Sequence, residues 1–304
     1  MSDAASSVAV VGPGAVGGLL GALMARAGAA VLFVARPATA RRMDGRRLTV
    51  ESAQFGRFAV EVAAGERVTR PVDLCIVAVK AAGLGAALDL VEPRLVRGPV
   101  VPVLNGVDHV GRVAARYGRE RTVAAAIRVG AARVSPTVVE HRSRFVDLRV
   151  APLDPALDLA PMVDLLDASG VTVTVDDDPD RVLWDKLVFL APFALATAAH
   201  DESIGPVRDG RRQELVALVG EVTGAGARRG ASLGAAEVLA FVDSLPAAMS
   251  SSLRSDVVAG GAGELDAIVG PVLDAAAEDG LAVPTVRRYA QAVARRAQSP
   301  HPGS

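Results

Sequence analysis

Three glycines stand at the spacing Gly12-Pro13-Gly14-Ala15-Val16-Gly17, directly after the apolar run at residues 8–11 and at the head of a helical stretch, residues 15–27. That order gives each glycine a task. The first permits a tight turn, the second lets the backbone approach a pyrophosphate, and the third lets the helix close on the strand. The helix start then offers free N–H groups and the positive end of its dipole to phosphate. The glycine spacing alone is a weak sign, but a strand before it and a helix after it make it specific for a dinucleotide. The expected cofactor contacts are Gly12, Gly14, Ala15, Val16 and Gly17.

The next strand, residues 31–34, selects the dinucleotide. An NAD site places Asp or Glu at that strand's end to bind the ribose 2′-hydroxyl. Here the end reads Ala35-Arg36-Pro37, and the first carboxylate is Asp44. The planar fork of Arg36 suits a 2′-phosphate, with Arg41 and Arg42 adding positive charge, so the expected cofactor is NADP(H).

Two further strand ends carry polar groups. Lys80 ends the run at residues 74–79, and Asn105 follows the run at residues 100–104. In an open parallel sheet, ligands bind outside the carboxyl ends of the strands, so both are expected beside the cofactor. The remaining pattern must hold these positions. Short strands are expected at 48–50, 58–62, 123–129, 137–141, 145–150 and 171–175, giving the sheet an antiparallel part, with helices at 86–95 and 161–168. After Asp176-Asp177-Asp178-Pro179 strand signals vanish, and residues 215–229, 235–245 and 264–279 show helical periodicity with Gly280 as a stop. The fold expected is α/β: a Rossmann-type dinucleotide-binding domain over 1–177, then an all-α substrate domain over 178–304.

Composition narrows the function further. With 33 basic and 34 acidic side chains the net charge is −1, which gives nucleic acid no basic face. The single Cys75 precludes an internal disulfide and fits a reducing cytoplasm. The uncharged stretch at 4–25 lacks the basic start of a leader, and the apolar run at 187–199 is short and contains Pro192, so neither a leader nor a membrane span is expected. His109, His141, His200 and His301 lack metal-ligand spacing, and no metal is assigned. Residues 298–304 form a polar, proline-containing tail.

Together with Trp184-Asp185-Lys186, Ser250-Ser251-Ser252-Leu253-Arg254-Ser255-Asp256 and Gly263-Glu264-Leu265-Asp266, these features resemble the ketopantoate reductase (2-dehydropantoate 2-reductase) family over almost the whole chain. The resemblance implies NADPH-dependent reduction of a small 2-keto acid at a site between a Rossmann domain and a helical one. It implies Lys186 as the catalytic lysine and Glu264 as the glutamate near lysine and cofactor. It gives Ser252 as a substrate-binding serine, Lys80 and Asn105 as contacts of the nicotinamide end, with Asn105 also reaching substrate, and Ala131 as a backbone contact of the cofactor. The helical domain would offer a surface for a homodimer. The chemistry is coherent: as hydride reaches a carbonyl carbon, an ammonium can stabilise the growing charge on oxygen and donate the proton, while a carboxylate sets that ammonium's charge.

The chain departs from the family at the substrate. Leu190 and Ala194 stand four and eight residues after Lys186, where the family carries Asn, and Ile204 and Met249 stand at two more such positions. Leu190 and Ala194 share the face of Lys186 and are expected to line the substrate pocket. Each lost hydrogen bond to a charged substrate group removes roughly 1.5–3 kcal/mol. Three functions therefore compete: ketopantoate reduction, reduction of a bulkier or less polar ketone or imine, and NADP(H) binding without redox turnover.

Overall fold

The computed structural model describes residues 5–298; residues 1–4 and the tail at 299–304, His301 included, lie outside the described residues. The chain divides into two compact units. One comprises the chain up to Leu104 and His109–Pro179; the other comprises Asn105–Asp108 and the chain from Asp180 onward.

The first unit begins β1 (Ser7–Val11), α1 (Ala15–Arg26), β2 (Ala30–Val34), α2 (Pro37–Met43), β3 (Arg47–Ser52), β4 (Gly56–Glu61), β5 (Ala63–Gly65), β6 (Leu74–Val77), α3 (Leu84–Leu88) and β7 (Val100–Pro102). It continues α4 (His109–Tyr117), β8 (Val123–Arg128), β9 (Ala131–Ser135), β10 (Val138–His141), β11 (Asp147–Pro152), α5 (Ala160–Ala168) and β12 (Thr172–Val175). Its main sheet runs β5-β2-β1-β6-β7, and every pairing in it is parallel. Such a sheet is apolar on both faces because both are covered. Val8, Val10, Leu74 and Ile76 enter one core with Leu19, Leu20 and Leu23 of α1, whereas Ala9, Val11, Cys75 and Val77 enter another with Leu84, Leu88 and Val113. Burial pushes the Cys75 thiol up to about 12, which leaves it inert as a nucleophile.

The strands expected to give this sheet an antiparallel part do not join it. They form two mixed sheets, β4-β3-β10-β9 and β12-β11-β8, in which β3–β10 and β11–β12 pair parallel and the other neighbours antiparallel. The helix expected at 86–95 is also shorter. It stops at Leu88, and Pro93 holds Glu92 in an extended conformation (φ −71°, ψ 133°), so that only a 3-10 turn follows at Pro93–Leu95. The strand expected at 74–79 ends at Val77, level with the end of its partner β1 at Val11.

The second unit contains α6 (Pro179–His200), α7 (Ile204–Gly210), α8 (Arg212–Ala227), α9 (Ala235–Ser244), α10 (Ser252–Val258), α11 (Leu265–Glu278) and α12 (Pro284–Gln298). Their apolar faces share one core around Leu187, Ala191, Leu195, Leu218, Val222 and Val272. At 22 residues α6 is longer than the apolar run read from sequence. By length and composition it could cross a bilayer, but 78% of its apolar window is buried inside the protein, which makes it a core helix.

Candidate active site

The glycine loop joins the carboxyl end of β1 to α1. Gly12 has φ +89°, and a Cβ on it would stand 2.6 Å from the Ala78 carbonyl oxygen, so both its conformation and its surroundings require glycine. A Cβ on Gly17 would lie 2.3 Å from the Gly12 carbonyl oxygen and 2.9 Å from Ala78 Cβ, which is the close packing of helix on strand. Gly14 is different: beyond its own chain neighbours, nothing lies within 4 Å of where its Cβ would be. It occupies the N-cap of α1 without a side-chain cap, and the first turn carries no acidic residue. Crowding at two glycines and open space at the third, at a helix start whose first N–H groups have no acceptor within the helix, fit a dinucleotide pyrophosphate over Gly14, Ala15 and Val16.

Neighbouring strand ends converge on this loop. The Gly12 N–H donates to the Val34 carbonyl at 2.9 Å, which fastens the loop to the end of β2 two residues before Arg36. Arg36 is exposed at the N-cap of α2, where its carbonyl accepts the N–H groups of Thr39 (2.9 Å) and Ala40 (3.0 Å). Arg41 is loosely paired with Glu66 at 3.8 Å. Lys80 is exposed three residues beyond β6 and heads a 3-10 turn. Ala131 opens β9 opposite His141, half-buried in the four-stranded sheet. His141 is a core histidine held by Ser52, Ser143 and the Phe145 carbonyl.

The second unit gathers a different set. Asn105, drawn from the segment after β7, donates from Nδ2 to Glu264 Oε2 at 2.8 Å. The next residue shows why this segment packs against α11: Gly106 has φ +84°, and a Cβ there would come within 2.3 Å of the Ala267 carbonyl oxygen. Glu264 is the N-cap of α11, yet its carboxylate makes no cap hydrogen bond to the helix. The carboxylate instead faces Asn105 and Lys186. Burial holds the Lys186 ammonium down, and the Glu264 carboxylate opposes part of that effect, leaving the lysine at about 8. A lysine poised there exchanges a proton near neutral pH.

Other residues of the expected site fall as follows. Ser252 is exposed at the first position of α10, and Ser251, not Ser252, caps that helix by accepting the Arg254 N–H at 3.1 Å. Leu190 is half-buried one turn after Lys186. Ala194 does not line open space as expected: it is 1% exposed within the helical core, because the second turn of that face already lies under neighbouring helices. Ile204 is likewise fully buried, while Met249 is 39% exposed.

Asp185 carries no role that its sequence motif reveals. It is 6% exposed and accepts hydrogen bonds from Ser232 N–H (2.6 Å), Ser232 Oγ (2.8 Å) and Leu233 N–H (3.2 Å). It thereby fixes the α6 turn that bears Lys186 to the loop before α9. A carboxylate inside an apolar helix was the available signal, since a buried charge needs such partners.

Comparison with known proteins agrees with this architecture. The family model described as ketopantoate reductase PanE/ApbA matches residues 8–154, and its C-terminal counterpart matches 178–297. The 2-dehydropantoate 2-reductase of Mycobacterium tuberculosis is 30% identical over 293 residues, covering 92% of this chain and 94% of that protein. The PanE/ApbA family ketopantoate reductase of Ralstonia eutropha superimposes with a TM-score of 0.85 at 24% identity, over 96% of this chain and 98% of that one. A D-mandelate dehydrogenase solved with NADH and anilino(oxo)acetate shares the fold with a TM-score of 0.86 at 19% identity, over 96% and 98%. The glycine loop, the helical second unit and these matches, which span nearly the full chain, together place it in the ketopantoate reductase family of oxidoreductases.

Proposed function

We propose that the chain is an NADPH-dependent reductase of a 2-keto acid, with ketopantoate as the reference substrate and Lys186 as the proton donor. The observation that carries this reading is Lys186 held at about 8 by burial against Glu264, which is in turn held by Asn105. When bound, the nicotinamide supplies a hydride to the carbonyl carbon. Lys186 stabilises the charge that develops on the carbonyl oxygen and delivers a proton to it, so that a ketone becomes an alcohol. Glu264 keeps part of the lysine population charged despite its burial, and Asn105 orients Glu264. Ser252, exposed on α10, hydrogen-bonds the substrate's polar end. Arg36 selects the 2′-phosphate of NADP(H), while the glycine loop with Lys80 and Ala131 holds the rest of the cofactor. The test is direct: purified protein should consume NADPH when given ketopantoate, and Lys186→Ala should abolish that consumption. Turnover at background by the unaltered protein rejects the substrate, and retained turnover in Lys186→Ala rejects the proton donor.

A second reading concerns the substrate. Leu190, one turn beyond Lys186, presents hydrocarbon where a polar substrate would want a donor. This favours a 2-keto acid or related ketone or imine with a less polar side chain. A panel of 2-oxo acids graded by side-chain polarity decides it: kcat/KM rising towards apolar members supports this reading, and a maximum at ketopantoate overturns it.

A further inference from the structure

The apolar face of α6 carries one buried hydroxyl that the proposed reaction does not use. Thr197 is 0% exposed and stands among Ala194, Leu195, Ala196 and Ala198. Its Oγ1 lies 2.7 Å from Ser251 Oγ and 2.9 Å from the Phe193 carbonyl oxygen, and Ser251 is 4% exposed. Either hydroxyl could donate in the pair taken alone, but the surrounding groups allow one direction. The Arg254 N–H donates to Ser251 Oγ at 3.1 Å. Ser251 then donates to Thr197, and Thr197 donates to the Phe193 carbonyl, so every proton has an acceptor. This buried chain runs from the first turn of α10 to the backbone of α6.

A second tie joins the same two helices. Asp201, immediately after α6, has φ +56° without being glycine, and its carboxylate accepts from Arg254 Nε at 2.9 Å and meets Arg296 at 3.0 Å. A left-handed aspartate is retained only where its surroundings hold it. Arg254 therefore meets α6 twice, through its N–H by way of Ser251 and Thr197, and through its guanidinium by way of Asp201.

We infer that Thr197 is a positioning residue for substrate binding: through Ser251 it fixes the start of α10, and so the Ser252 hydroxyl, relative to the helix that bears Lys186. Thr197 stands eleven residues after Lys186, which returns it to nearly the same helix face about 16 Å along the axis, too far for it to touch the reacting atoms. Its effect passes through Ser252. The inference rests on the proposed role of Ser252 as a substrate contact.

The test is a double-mutant cycle in the full-length protein, with ketopantoate and benzoylformate as the substrates assayed with NADPH. Thr197→Val keeps the volume and removes the hydroxyl. It should raise the KM for the keto acid by roughly five- to tenfold, the size expected when one hydrogen bond loses its aim. The KM for NADPH should stay unchanged, and Thr197→Ser should restore the keto-acid KM. In a Ser252→Ala background, Thr197→Val should add no further rise. Additive effects, or an equal fall in kcat with constant KM, overturn the inference and leave Thr197 as a packing residue. If Ser252→Ala leaves the keto-acid KM unaltered, the reading of Ser252 falls and the inference with it. If Ser252→Ala raises KM and Thr197→Val does not, the inference alone falls. Absence of turnover of either acid by the unaltered protein overturns the proposed function, and with it the premise.

Discussion

The glycine loop and the Lys186 constellation are built in opposite ways. The loop is made by residues close in sequence. Gly12 and Gly17 are five positions apart, and a side chain at either would strike backbone. The constellation is made by residues far apart: Asn105 and Glu264 are 159 positions from each other and meet through one hydrogen bond. A local site is legible as a motif because its spacing is its geometry. A non-local site carries no spacing, and its chemistry depends on partners the chain brings together only on folding. The loop should therefore respond to substitution through sterics, and the constellation through charge.

The largest expected effect tests the charge side. Lys186→Met should lower turnover by about 10²–10⁴, the usual share of general acid–base catalysis, and leave NADPH affinity near its original value in a titration. The same change should raise thermal stability at neutral pH. The folded-state lysine is depressed to about 8 from an ordinary value of 10.5, so the unfolded chain binds more protons between those limits. The penalty is full below pH 8 and is relieved as pH rises towards 10.5. A melting temperature unchanged by Lys186→Met would contradict the burial argument.

Next comes Arg36→Ala, which should lower the preference for NADPH over NADH by about tenfold or more, since a charged hydrogen bond contributes roughly 1.5–3 kcal/mol. Equal affinities for both cofactors in the unaltered protein would remove Arg36 from the selection. For the steric side, Gly17→Ala should destabilise the protein by about 1–3 kcal/mol in denaturant unfolding, because the obstructing atom is a backbone carbonyl with no rotamer to adopt. Gly14→Ala should leave stability nearly unaltered and weaken cofactor binding, because its Cβ would meet nothing beyond its chain neighbours. If the two glycine variants behave alike, the division between a packing glycine and a ligand-facing glycine is wrong.

The smallest effect refines the constellation. Glu264→Gln removes the carboxylate that raises Lys186, so the lysine should fall further below about 8. If Lys186 donates the proton as proposed, kcat/KM for keto-acid reduction should fall with pH through about 8 in the unaltered protein and at a lower pH in Glu264→Gln. A profile that does not move would separate Glu264 from the lysine's charge state.

By itself the sequence determined the βαβ start, the glycine loop, the helical second half and the resemblance that singled out Lys186, Ser252 and Glu264. Each is written in periodicity, in glycines that only one backbone geometry accepts, or in short motifs. Tertiary structure decided what those signals leave open. Strands at 123–150 read alike whether they extend one sheet or form others, since alternation sets which face is buried and not which edge is paired. Ala194 shares a helix face with Lys186, but neighbouring helices cover it. Ser251 and Ser252 are the same residue type side by side, and only the turn of α10 makes one a buried cap and the other an exposed hydroxyl. The state of Lys186 depends on burial and on a carboxylate 78 positions away, quantities that exist only once the helices have packed.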